Sequence, residues 1–99
     1  MKRTLVRYRT KPEKAQENQL LIEKVFEELR AKSPKGLRYL ALRLGDGTFV
    51  HFVSVEDGAP SVTTLDAFQI FQSGIKDRCA EPPQAAEATV VGNYRMLDA

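Results

Sequence analysis

The stretch from Gly36 to Val55, GLRYLALRLGDGTFVHFVSV, reads as a β-hairpin whose two strands are largely apolar on both faces. A hairpin with one wet side alternates apolar and polar residues, so this one needs cover on both sides. A chain of 99 residues supplies helices for one side only. The other side is expected to meet a second copy of the same protein. Asp46-Gly47 is a strong two-residue turn signal. With those two as the loop, Leu44 sits opposite Phe49, Leu42 opposite His51 and Leu40 opposite Val53, and paired residues point the same way. The opposite face then carries Leu37, Tyr39, Ala41, Arg43, Val50, Phe52 and Ser54. The first face is the more uniformly apolar, which assigns it to the helices and assigns Tyr39, Val50 and Phe52 to the partner.

The rest of the chain supplies those helices. Arg3 to Thr10 is β-branched and aromatic enough for a strand. Thr10 and Glu13 have capping-box spacing and Pro12 suits a first helical turn, so a helix is predicted to run to about Lys32. Leu21/Ile22, Val25/Phe26 and Leu29 form its apolar stripe. Ser33-Pro34-Lys35-Gly36 stops it. After a loop over 56–62, a second helix is predicted from Thr63 or Thr64, with Leu65, Phe68, Phe71 and Ile75 buried. Pro82-Pro83 makes 79–83 irregular, and Thr89 to Leu97 is predicted as the last strand. The order β-α-β-β-α-β predicts an α+β, ferredoxin-like fold: one domain over 1–99, an antiparallel sheet with two helices on one face.

Composition narrows the function classes. Apolar and charged fractions of 42% and 28% are ordinary for a globular protein, and a net charge of +2 argues for neither nucleic acid nor an anionic membrane. One cysteine, Cys79, and one histidine, His51, exclude an internal disulfide and fall short of a zinc site. No metal, cofactor or membrane partner is expected. Arg7 and Arg9 interrupt what would be the apolar region of a signal peptide after Met1-Lys2-Arg3, so the chain reads as cytoplasmic. The RNA-recognition motif shares the element order, but TFVHFVSV lacks its basic-Gly-aromatic pattern.

Three stretches together resemble the antibiotic biosynthesis monooxygenase-type dimeric α/β barrels: VRYRTKPEKAQENQLL leading into a long helix, the wide hairpin YLALRLGDGTFVHFVSVED, and LDAFQIFQSGIKDR before a final strand. The resemblance covers nearly the whole chain. It implies a homodimer paired through the sheet face and a ligand pocket between sheet and helices. It also implies a small-molecule-binding protein akin to cofactor-independent monooxygenases of small aromatic, polyketide- or quinol-like compounds. A non-catalytic ligand-binding or dimerisation module of the same fold is the alternative. The family's oxygenases often use a Trp, which this chain lacks, and its haem-degrading members use a second-helix His, absent from residues 64 to 78.

His51 is the catalytic candidate. A neutral imidazole in an apolar cavity can accept a proton from a phenol or quinol. The alternative is a buried histidine bonded to backbone, Tyr8 or Tyr94. Tyr8, Phe49, Phe68, Phe71 and Tyr94 are candidates for lining a pocket around a small apolar or aromatic ligand, although aromatics at these spacings also build plain cores. Arg7 and Arg9, on a central strand, need an acid such as Glu56, Asp57 or a partner carboxylate. Cys79, at a helix end, reads as a small, partly buried thiol.

Overall fold

The computed structural model describes residues 1–97, so the last two residues of the predicted domain lie outside the described residues. The elements are β1 (Lys2–Thr10), α1 (Ala15–Lys32), β2 (Leu37–Arg43), β3 (Thr48–Val55), α2 (Asp66–Ser73), the single turn α3 (Ile75–Arg78) and β4 (Cys79–Glu87). All neighbouring strands pair antiparallel, in the order β2-β3-β1-β4. Two split βαβ units therefore interleave, which is the predicted ferredoxin-like arrangement.

The helices follow their apolar stripes with different caps. Pro12–Lys14 forms a 3-10 turn before α1. Thr10 remains in β1 and gives its hydroxyl to the Gly47 carbonyl (3.1 Å) instead of capping the helix. α1 buries Ala15, Asn18, Ile22 and Val25 and stops at Ser33, whose φ of 44° is left-handed. A second 3-10 turn, Val62–Thr64, precedes α2. The start of α2 is held from α1: Glu28 accepts from the amides of Asp66 (3.3 Å) and Ala67 (2.8 Å), and bonds Lys32 at 2.6 Å. Those three donors hold the Glu28 carboxyl below its usual range, Lys32 contributing most.

The hairpin loop is one residue longer than predicted. Gly47 donates its N–H to the Leu44 carbonyl (3.2 Å) and Leu44 donates to Thr48 (2.8 Å). Gly47 takes a φ of +86°, the left-handed residue of a three-residue loop with a bulge. The extra residue slips the register of β2 by one, and a one-residue slip exchanges its faces. Ala41 now pairs with His51, Tyr39 with Val53 and Leu42 with Val50. Tyr39 therefore faces the helices and Leu40 and Leu42 face away, the reverse of the expectation. The faces of β3 are as expected.

The last strand also lies elsewhere than predicted. β4 is Cys79–Glu87, and residues 88–97 form no strand, being irregular to 93 and bent over 94–97. Pro82 and Pro83 are tolerated because β4 is an edge strand that pairs only with β1 and shifts register between Arg7 and Thr10. Arg9 finds its acid there, Glu81 at 2.8 Å. Arg7 is exposed opposite Gln84.

The core lies between sheet and helices, with Tyr8, Ile22, Val25, Phe49, Val62, Leu65 and Phe71 buried. The opposite face carries an apolar row across all four strands, Leu40–Phe52–Leu5–Ala86. Leu42 and Val50 lie beside it.

Candidate functional site

A cavity of about 280 Å³ lies between the sheet and the α2–α3 segment, walled by Thr4, Val6, Tyr8, Tyr39, His51, Val53, Phe68, Phe71 and Ile75. Aliphatic and aromatic carbon makes up most of the wall. Lys2, Ser61 and Gln72 add polar groups to the wall, and His51 sits on β3 between two tyrosines of the neighbouring strands. Tyr8 and Tyr39 are each the diagonal neighbour of His51, two residues along from its partners Val6 on β1 and Ala41 on β2. Their rings reach the imidazole from either side.

Both imidazole nitrogens are engaged. Tyr8 Oη lies 2.8 Å from Nε2 and Tyr39 Oη 2.5 Å from Nδ1. The chain of contacts continues beneath Tyr8. Asn18 on α1 donates its amide N–H to Tyr8 Oη (2.8 Å), and Arg78 donates Nε–H to Asn18 Oδ1 (3.0 Å). Arg78 also donates to the Phe71 carbonyl (2.6 Å) and lies over the Phe71 ring, 5.2 Å from its centre. Five side chains from five elements thus form one line, Arg78–Asn18–Tyr8–His51–Tyr39, buried as far as His51 and half-buried at Tyr39.

Burial sets the ionisation of this line. Desolvation pushes the His51 pKa down from 6.5 to about 4, because a buried imidazolium loses its hydration without gaining an anion. Desolvation likewise raises the phenols of Tyr8 and Tyr39, the Asn18 hydrogen bond partly opposing it for Tyr8. At neutral pH the imidazole is neutral and both phenols are protonated. The line can pass a proton along its hydrogen bonds but holds no resident base strong enough to keep one.

The pocket candidates divide. Tyr8, Phe68 and Phe71 wall the cavity with His51, and the Phe71 ring lies 5.6 Å from the imidazole. Phe49 is buried under Tyr8, stacked at 5.6 Å and 10°, and borders a separate open groove between α1 and β2. Tyr94 does not reach the cavity: it lies 79% exposed in the segment after β4, because that strand ends at Glu87. Cys79 is half-buried and desolvation raises its thiol pKa. Three residues of the line were not expected here. A two-residue turn places Tyr39 on the partner face, whereas the three-residue loop brings it to the site, and no sequence motif points to Arg78. Asn18 did carry a signal, since Ala15, Asn18, Ile22 and Val25 share a helical stripe on which a polar residue needs a partner.

Among the described residues, no group of His, Cys, Asp and Glu is arranged to hold a metal ion, and no helix is long and apolar enough to cross a membrane. No family model matches the sequence, and no curated protein matches it. Solved structures do match the fold. A Bacteroides thetaiotaomicron protein provisionally named an antibiotic biosynthesis monooxygenase superposes with a TM-score of 0.77 at 15% identity, over 98% of this chain and 95% of that one. A Nitrosomonas europaea protein provisionally given the same name reaches 0.75 at 18% identity, over 93% and 100%. A second Nitrosomonas europaea protein, of unknown function, reaches 0.71 at 20% identity, over 99% and 95%. The chain therefore shares the ferredoxin-like fold of the antibiotic biosynthesis monooxygenase-like proteins.

Proposed function

We propose that the protein is a cytoplasmic homodimer that binds a small, flat, largely apolar aromatic molecule of the polyketide or quinol type between its sheet and α2. The observation that carries this reading is the combination of a largely apolar cavity of about 280 Å³ with the hydrogen-bonded pair Tyr39 and His51 in its wall. A pocket of apolar walls and a few placed polar groups suits a ligand that is mostly hydrocarbon with an oxygen at one edge. The single free cysteine fits a reducing compartment. The test is titration of the labelled protein with 1-naphthol and 1-indanone. Signals of Tyr39, His51, Phe68 and Phe71 are expected to shift together and saturably. Shifts scattered over the surface, or none, would sink the reading.

A second reading, cofactor-free oxygenation, is supported by the buried relay Tyr39–His51–Tyr8 at the cavity wall and by the names of the structural neighbours. In that reading the relay takes a phenolic proton, and the electron-rich ring passes an electron to oxygen. The resting site opposes this. Moving a proton from a phenol near 10 to an imidazole at about 4 costs about 8 kcal/mol. Oxygen uptake with hydroquinone and anthrone separates the two: consumption abolished by His51→Ala establishes catalysis, whereas saturable binding with no uptake establishes a binding module.

A further inference from the structure

We infer that Arg78 and Asn18 fix the direction of the buried hydrogen-bond line, so that Tyr39 offers its O–H to the cavity and the ligand oxygen received there is an acceptor, such as a ketone or quinone oxygen. The ligand class rests on the proposed binding reading; the direction of the line does not.

The direction follows from counting protons. A guanidinium donates only, so the Asn18 atom 3.0 Å from Arg78 Nε is the carbonyl oxygen. The amide nitrogen then faces Tyr8, and Tyr8 Oη accepts from it at 2.8 Å. Tyr8 is 2% exposed, and among the described residues the one remaining partner of its hydroxyl is His51 Nε2. If Nε2 carried the imidazole proton, Tyr8 would accept twice and bury its own O–H without an acceptor, a desolvation penalty with no return. Tyr8 therefore donates to Nε2. A neutral imidazole has one N–H, which falls on Nδ1 and points at Tyr39 Oη, 2.5 Å away. Tyr39 accepts there, and its own proton is left for the cavity it lines. Arg78 and Asn18 touch no ligand in this scheme. They are positioning residues that act through the imidazole tautomer.

Asn18→Asp is the discriminating variant. An aspartate here keeps the Arg78 contact but can only accept. Tyr8 then turns its O–H to residue 18, Nε2–H donates to Tyr8, Nδ1 accepts from Tyr39, and the cavity meets a lone pair. Long-range proton–nitrogen NMR of His51 reads the tautomer without ligand. The expected result is Nδ1–H in the wild type, Nε2–H in Asn18→Asp, and a mixture in Arg78→Met, whose amide is free to turn over. An Nε2–H wild type overturns the direction, a test that needs no variant to fold. A single Nδ1–H tautomer in Arg78→Met removes Arg78 from the role. For the ligand class, 1-indanone is compared with indane, which has its shape without the oxygen. Wild type should favour the ketone about three- to tenfold, and Asn18→Asp and Tyr39→Phe should lose that preference. Equal binding by wild type overturns the ligand class. Failure of every aromatic probe to bind overturns the binding reading and the ligand class with it, while an Nδ1–H tautomer still upholds the direction.

Discussion

At the scale of single residues, His51 is held neutral by its burial, and this makes stability depend on pH. Its pKa falls from 6.5 in the open chain to about 4 in the fold, so between those values the unfolded chain binds the extra proton. The contribution is complete above pH 6.5 and is lost as pH falls toward 4, by about 3 kcal/mol in all. His51→Gln keeps an amide that can bond both tyrosines but cannot titrate. The difference in urea stability between the two proteins should change across pH 6.5 to 4, with wild type losing more; a constant difference would show that burial does not hold the imidazole neutral. Tyr8→Phe leaves His51 Nε2 and Asn18 Nδ2 without their buried partner and should destabilise by about 1–3 kcal/mol in urea titration. Tyr39→Phe, half-buried at the cavity edge, should cost less. His51 and its aromatic neighbours Tyr8, Phe68 and Phe71 were legible in the sequence, because each lay on an apolar stripe or alternation. Arg78 was not, because a charged residue in a helical turn ordinarily points to water. Its burial depends on Phe71, on the helix just before it, and on Asn18, which comes from a distant part of the chain.

At the scale of elements, strand and helix periodicity placed β1, α1, the hairpin and α2, while loop geometry decided what periodicity leaves open. Asp46-Gly47 marks a turn, but it does not say whether Gly45 joins the loop. That one residue decides which face of β2 carries Tyr39. Gly47 is the hinge of this choice. At φ +86° its conformation is one that residues with a Cβ adopt at a penalty, and a Cβ here would meet the Thr10 carbonyl and hydroxyl at 3.4 Å. Gly47→Ala should therefore destabilise by about 1–2 kcal/mol, seen as a lower urea midpoint with unchanged slope. β4 was hidden for a related reason. Its two prolines argue against a strand in general, yet an edge strand bonds on one side only. The α1–α2 contact is testable on its own. With Glu28→Ala, the amides of Asp66 and Ala67 lose their acceptor and should exchange faster, while the strand amides keep their protection. Unchanged exchange at 66 and 67 would mean that α2 is held by its apolar face alone.

At the scale of the whole molecule, the unresolved demand is the outer face of the sheet. Its central row, Leu40–Phe52–Leu5–Ala86, runs across all four strands, and Leu40 and Leu42 are 43% and 50% exposed. Arg7 and Arg9 bound the face on β1, and Arg9 is neutralised by Glu81. A continuous apolar row rimmed by charge marks an association surface, and two copies related by a two-fold axis present it to each other self-complementarily. The register slip changed which residues lie on this face without removing its apolar character: Tyr39 left it for the site, and Leu40 and Leu42 took its place beside Val50 and Phe52. The site and the proposed interface thus lie on opposite sides of the same strands, with His51 and Phe52 adjacent in sequence. Phe52→Asp places a charge in the centre of the row, where a dimer would bury it unpaired. In the monomer the same charge faces water and touches none of the site. Sedimentation at micromolar concentration should show a dimer for the wild type and a monomer for Phe52→Asp. The His51 tautomer should be the same in both, because the line from Arg78 to Tyr39 is complete within one chain. A wild type that sediments as a monomer would refute the pairing, and a tautomer lost with the dimer would show that the second copy completes the site.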